Sequence, residues 1–139
     1  MPSLFCYLKL IRIIMADLST YTKNKIFDLL FNNTTFTAVA NLYIGLFTVA
    51  PTDAGGGTEV SDIAPRIALS MGAPTDGAGS NDGELLWAAA VSGYTAVAVG
   101  VFDASSAGNL LAWKSLGSEV VGVGVKFRYP IGDFDADVQ

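Results

Sequence analysis

The sequence contains no histidine, which removes the commonest general base and the side chain on which most transition-metal sites depend. Ser/His/Asp and Cys/His catalytic arrangements are therefore excluded. The single cysteine, Cys6, allows neither an intramolecular disulfide nor a Cys/His zinc cluster, and it lies in an apolar stretch without a neighbouring base. We interpret Cys6 as a small hydrophobic residue. These absences predict a protein that is not an enzyme and that needs no cofactor. The alternative that spacing leaves open, a glycosidase-type pair of carboxylates, is disfavoured because the candidate acids lie in loops.

Charge is scarce as well, since only 15% of the residues are charged whereas 51% are hydrophobic. Such a composition excludes intrinsic disorder and predicts that part of the surface is covered by copies of the chain or by a partner. The net charge is −5, and the eight basic residues are scattered along the chain. We therefore expect no nucleic-acid partner, because binding to phosphates requires clustered Lys and Arg.

The chain also lacks an apolar run of the roughly 20 residues that a membrane span requires. Residues 1–15 are apolar but are interrupted by Lys9 and Arg12, whereas a signal peptide carries its charges before the apolar core. We expect no membrane partner and predict instead an N-terminal docking arm. The residues predicted to bind a partner through this arm are Leu4, Phe5, Tyr7, Leu8, Leu10, Ile11, Ile13 and Ile14. Two alternatives are an edge strand or helix of the chain's own domain and a stretch upstream of a natural start at Met15.

The remaining residues, 16–139, are predicted to form one domain that opens with a helix near residues 19–31. Ser19 is the candidate N-cap. One narrow apolar face of this helix carries Leu18, Thr22, Ile26, Leu29 and Leu30. Because the face is narrow, we expect the helix to lie against a sheet or across a subunit contact.

After residue 33 the chain consists of short apolar segments separated by glycine-rich turns, which predicts a mainly β fold. We expect an antiparallel β-sandwich or jelly-roll-like domain. Residues 42–49 are almost entirely apolar, so this strand is predicted to be covered on both faces. Strict alternation is expected in three further strands, at residues 67–71, 95–101 and 121–129.

The connector after the strand at residues 42–49 contains three consecutive glycines. It lacks the GxxxxGK[ST] pattern, a following helix and a nearby lysine, so it does not predict nucleotide binding. We predict a contact loop whose backbone approaches a neighbouring subunit closely. The residues assigned to this loop are Asp53, Gly55, Gly56, Gly57 and Glu59.

Two other groups of residues have weaker functional interpretations. Asp76, Asn81, Asp82 and Glu84 could surround a calcium ion, but their spacing is not that of an EF-hand, so a solvated acidic loop is favoured. Trp87 and Trp113 are predicted to be core or interface anchors, each needing a hydrogen-bond partner if buried. Tyr43, Tyr94 and Trp113 would support a sugar-binding module only if their rings are exposed.

Several segments together resemble a family of small tailed-bacteriophage virion proteins. They are FDLLFNNTTFT, ANLYIGLFT, APTDAGGGTEVSD, VGVFDASSAGNLLAWKSL and VKFRYPIGDFDADV. The resemblance covers about residues 16–138, whereas the N-terminal arm and Pro65 depart from the family pattern.

This resemblance implies a structural protein of the phage particle without catalytic activity. We predict a capsid cement (decoration) protein on the outer surface of the capsid, a homotrimer that binds the major capsid protein or another virion structural protein. The first alternative is a tail or tail-fibre-associated structural protein. The second belongs to another class, a carbohydrate-binding β-sandwich module.

Overall fold

The computed structural model describes residues 5–7, 11–14 and 17–138. The fold is mainly β and antiparallel with one helix near the N-terminus, as predicted. The elements in chain order are β1 (Phe5–Tyr7), β2 (Ile11–Ile14), α1 (Thr20–Phe31), β3 (Leu42–Val49), β4 (Thr58–Glu59), β5 (Arg66–Leu69), β6 (Ala78–Ser80), β7 (Leu85–Ala89), β8 (Tyr94–Phe102), β9 (Leu110–Val121), β10 (Lys126–Tyr129) and β11 (Phe134–Asp137).

The residues that the structure describes form three sheets. The largest has the order β4-β3-β8-β9, with β5 also paired to β3, and the two smaller sheets have the orders β1-β10-β7 and β2-β11-β6. The main core lies between the large sheet and the smaller ones: Ile44 and Val99 come from one side, and Trp87, Phe127 and Phe134 from the other. Ring contacts at right angles join Trp87 to Phe127 at 5.3 Å between centroids. This arrangement is the predicted sandwich of packed sheets.

Strand β3 is covered on both faces, as its apolar sequence predicts. Ile44 and Leu46 belong to the main core, while Phe47 belongs to a second cluster on the other face of the large sheet. The second cluster contains Phe47, Ala98, Phe102 and Leu110, with Tyr43, Val97 and Trp113 packed against it. Two faces of one sheet are therefore buried, which explains why polar residues are nearly absent from β3.

The predicted alternation holds for residues 67–71, because Leu69 is buried and Ile67 and Met71 pack against the main core. In β8 the predicted alternation of side chains is wrong at one point. Ala96 packs in the main core and Val97 against the second cluster, together with Ala98. The pairing of β8 with β9 shifts register here, so that successive side chains stop alternating.

The single strand predicted for residues 121–129 is also wrong. Strand β9 ends at Val121, and a turn closed by a hydrogen bond from the Val125 amide to the Gly122 carbonyl (3.0 Å) precedes β10. Gly124 has a φ of +78°, a conformation that glycine adopts at little cost. The turn leaves Val123 exposed, although Val121 and Phe127 on either side are fully buried.

The backbones of β1 and β2 form edge strands of the chain's own sheets. β1 pairs in parallel with β10, and β2 pairs in parallel with β11. Arg12 of β2 forms an ion pair with the buried carboxylate of Asp137 on β11. The structure therefore has the alternative arrangement, an in-domain edge strand, for residues 5–7 and 11–14. Leu4, Leu8 and Leu10 lie outside the described residues, and partner binding by the arm stays a prediction.

Candidate assembly surface

Helix α1 is attached to the domain through its first turn. The Ser19 amide donates to the Leu111 carbonyl (2.8 Å), and the Thr20 amide donates to the Asp53 carbonyl (2.8 Å). Ser19 is the N-cap, as predicted, because its hydroxyl accepts from the Thr22 amide. The Thr22 hydroxyl donates to the same Leu111 carbonyl (2.7 Å). These bonds position the start of the helix against β9 and the connector after β3.

The rest of α1 has no buried residue. The predicted face of the helix is thus at most half-buried, and a subunit contact through α1 stays a prediction. Its exposed side chains include Phe27 (56% exposed), Leu30 (67%) and Phe31 (71%). Phe27, Leu30 and Phe31 are named the helix-end patch. Leu29, and Phe36 on the following segment, are exposed as well. The rings of Phe27 and Phe31 contact each other at 4.9 Å between centroids.

The helix-end patch is comparable in area to the largest apolar patch of an ordinary monomer. Phe27 and Phe31 expose roughly 250 Å² together if an aromatic side chain presents on the order of 200 Å². Leu30 adds to this area. The largest apolar patch on a monomer is typically about 300–600 Å² and is often functional. A 12-residue helix is also marginally stable alone, so a covering partner would stabilise it.

The sequence predicted this patch only in part. Leu30 lies on the narrow apolar face and residues 26–31 are the more apolar end of the helix, but Phe27 and Phe31 lie outside that face. Of the face itself, Leu18, Thr22 and Ile26 are half-buried. The sequence nevertheless contains an indication of exposed apolar side chains on this helix. A helix with large apolar residues on more than one side has more apolar surface than one sheet can cover.

The predicted contact loop lies beside the first turn of α1, and its five residues have different roles. Asp53 lines a groove of about 560 Å³ with Gly55 and Gly56, opposite Tyr21 and Asn24 of the helix. Gly55 and Gly56 have open space around them, so their backbone remains accessible. Their contact with a partner stays a prediction.

Gly57 and Glu59, by contrast, are used inside the chain. A side chain at Gly57 would come within 2.7 Å of the Val49 carbonyl oxygen, so the close backbone approach is to residues 49–51. Glu59 forms an ion pair with Arg66 at 2.7 Å. The roles that the structure shows for Gly57 and Glu59 are therefore contacts within the chain.

Asp53 joins the loop, the helix and the second cluster. Its carboxylate accepts from the Lys23 ammonium (2.9 Å) and from the Trp113 indole N–H (3.0 Å). Hydrogen bonds from Lys23 and Trp113 outweigh the effect of burial and lower the pKa of Asp53. The indole N–H of Trp87 donates to the Pro65 carbonyl (2.8 Å). Both indole N–H groups thus have the hydrogen-bond partner that a buried tryptophan needs.

The structure gives little support to a sugar-binding platform or to a calcium site. The rings of Tyr43, Tyr94 and Trp113 are half-buried and pack against the two core clusters, whereas a sugar platform needs open ring faces. The side-chain oxygen of Asn81 accepts from two backbone amides, and Glu84 pairs with Arg128 (2.6 Å), so neither is directed at a cation.

Among residues 5–7, 11–14 and 17–138, no group of three or more His, Cys, Asp or Glu side chains could hold a metal ion. Within the same residues, no helix has the length and apolar character to cross a membrane.

One prediction concerns Asp62, which accepts hydrogen bonds from the amides of Val91 and Ser92 (both 2.8 Å). Burial opposes its ionisation, but these bonds outweigh burial and hold the pKa of Asp62 below its ordinary value of 3.8. A lowered pKa stabilises the fold above the ordinary value, and this stabilisation is lost as the pH falls through the lower, folded-state pKa. Asp62→Asn should therefore lower the urea midpoint at pH 7, and the difference from the wild type should shrink below pH 3.8. An equal difference at both pH values would contradict this assignment.

Residues 17–137 match the family described as Podophage GP4 fiber I protein gp80. The chain belongs to this family and is therefore a structural protein of the phage virion, as the sequence resemblance predicts. A search among curated proteins finds no match.

Proposed function

We propose that the chain is a structural, non-catalytic subunit of a phage fibre and that it assembles with neighbouring virion proteins through the helix-end patch. The observation that carries the proposal is the exposure of Phe27, Leu30 and Phe31 on a helix with no buried residue. The description of its family as a fibre protein supports the fibre as the location.

Two observations favour the fibre over the capsid shell. The family description refers to a fibre. In addition, the N-terminal segment that motivated the cement prediction pairs its backbone with β10 and β11 of the same chain. The apolar side chains at the end of α1 are exposed in the described structure, so assembly through the helix requires no release of β1 or β2.

Gold-labelled antibodies on intact virions, viewed by electron microscopy, test this location. We expect label on the fibres. Label confined to the capsid shell would overturn the fibre proposal and support the cement role, in which the major capsid protein is the partner. Label on tail structures other than fibres would also contradict it.

A matched pair of variants tests the helix-end patch itself. The double variant Leu30→Lys/Phe31→Lys should keep its free energy of unfolding within about 0.5 kcal/mol of the wild type, because both side chains are exposed. It should nevertheless be absent from assembled particles. The control Ile131→Lys changes a side chain of similar exposure (65%) outside the patch and should be incorporated normally. Normal incorporation of the double variant would refute a role for the patch.

A further inference from the structure

The two N-terminal strands are attached differently from the other strands of the domain. Among the strands that the structure describes, only β1 and β2 pair in parallel, β1 with β10 and β2 with β11. Each forms the outer edge of its sheet. Parallel strands cannot be joined by a hairpin turn, so no local connection holds β1 or β2 to the strand beside it. An edge strand of this kind can equally be supplied by another chain.

These strands also lie outside the part of the chain that matches the family. That part covers residues 17–137, whereas β2 ends at Ile14. Just after this boundary the chain is fixed to β9, because the Ser19 amide donates to the Leu111 carbonyl (2.8 Å). In the matched part alone, β10 and β11 are therefore edges of their sheets, and the N-terminal segment covers both edges.

The N-terminal segment and the edge that receives it are complementary in charge. Residues 1–15 contain Lys9 and Arg12 but no acid. Strand β11 contains Asp135 and Asp137 but no base. The Arg12 guanidinium pairs with the Asp137 carboxylate, whose side chain is only 1% exposed. The ion pair and the backbone pairing together identify the segment that covers this edge, and both are available between two copies of the chain.

We propose that copies of this chain exchange their N-terminal strands, so that β1 and β2 of one copy pair with β10 and β11 of a second copy. The exchanged strands keep the backbone pairing and the ion pair of the single chain, so the exchange joins two copies at little cost. Only two residues separate β2 from Asp17, and short hinges favour such swapping. This inference deepens the proposed function and rests on it for the fibre as its setting.

Disulfide trapping between two co-expressed full-length chains tests the exchange. One chain carries Phe5→Cys and the other Lys126→Cys, since these residues are register partners in β1 and β10. Both chains carry Cys6→Ser, so each has a single cysteine. Paired residues on neighbouring strands lie about 5 Å apart, a Cα separation that a disulfide allows. Tags of different size identify the linked pair on a non-reducing gel after oxidation, and circular dichroism confirms that each chain is folded.

The control pairs Phe5→Cys with Val120→Cys, because Val120 is 72% exposed and lies on β9, which does not pair with β1. We expect at least about fivefold more linked pair from the register partners than from this control, since only they have the geometry of a disulfide. Adding Arg12→Glu to the Phe5→Cys chain should reduce the linked pair at least about threefold, because it sets a second carboxylate against the buried Asp137.

A single chain that carries both Phe5→Cys and Lys126→Cys, again with Cys6→Ser, makes the result decisive. Exchanged strands link such chains to one another, whereas strands that stay in their own chain give internally linked monomers. Monomers alone, or a linked pair no more abundant than in the control, overturn the inference. Absence of any link in this chain overturns it as well, because β1 is then not paired with β10. These experiments use purified protein, so they can fail while the labelled virions still place the chain on the fibre.

Discussion

Replacing Asn81 with aspartate is expected to cost about 3–5 kcal/mol of folding free energy at pH 7, because two hydrogen bonds become repulsive contacts and a charge is buried. Asn81 is 1% exposed. Its amide nitrogen donates to the carbonyls of Gly83 (2.8 Å) and Pro130 (3.0 Å). Its oxygen accepts from the amides of Gly132 (3.1 Å) and Phe134 (2.9 Å). A carboxylate cannot donate to the two carbonyls.

The pH dependence separates this cause from a general loss of packing. In Asn81→Asp, burial and the facing carbonyl oxygens should raise the pKa of the new carboxyl group in the folded state. The folded protein then binds the proton more tightly than the unfolded chain, so stability should increase as the pH falls from about 7 to 5. The contribution of Asp62, whose pKa is lowered from 3.8, is lost only at lower pH and so does not mask this change. Urea unfolding at the two pH values measures the difference.

Asn24→Asp is a suitable control, since Asn24 is exposed on α1 and the same chemical change should alter stability by less than about 0.5 kcal/mol. If Asn81→Asp is as stable as this control, or if it weakens further between pH 7 and 5, the hydrogen bonds of Asn81 do not hold residues 130–134 as described.

The second large effect is expected at Arg66, whose side chain is only 7% exposed. Its guanidinium donates twice to the Glu59 carboxylate (2.7 and 3.0 Å) and twice to backbone carbonyls, those of Ala104 and Ala107 (both 2.8 Å). It also stacks over the Phe102 ring, with its central carbon 3.5 Å from the ring centroid. One side chain thus connects β4, β5 and the turn between β8 and β9.

Arg66→Lys should therefore destabilise the fold by about 2–4 kcal/mol, although it keeps the charge, because an ammonium cannot reproduce the planar fork or the stacking. Glu59→Gln should cost less, about 1 kcal/mol, since Glu59 is 29% exposed and water can replace part of the pair. Urea unfolding of both single variants and of the double variant yields the coupling free energy of the pair.

Arg128→Lys provides the comparison for Arg66, because Arg128 pairs with Glu84 (2.6 Å) and its side chain is 25% exposed, against 7% for Arg66. We expect its cost to stay below about 1 kcal/mol, as for surface ion pairs. Equal costs for Arg66→Lys and Arg128→Lys would show that the bonds from Arg66 to the β8–β9 turn contribute little to stability.

Local sequence predicted the elements whose signals lie within a few residues. Ser19 caps α1 because a hydroxyl can accept from an amide three residues away. The uninterrupted apolar run of β3 required burial on both faces, and that is its position in the large sheet. The apolar residues of the helix-end patch can be identified from the sequence, but their exposure cannot, because burial depends on which elements pack nearby.

The sequence by itself determined the fold class, the helix and its cap, the central strand and the virion family, since periodicity and turn chemistry are properties of neighbouring residues. Only the tertiary structure decided the roles of Asn81 and Arg66, the register shift in β8 and the open end of α1. Asn81 reaches Phe134, and Arg66 reaches Ala104. Contacts between residues so far apart in sequence follow from sheet packing and strand register, which no local pattern specifies.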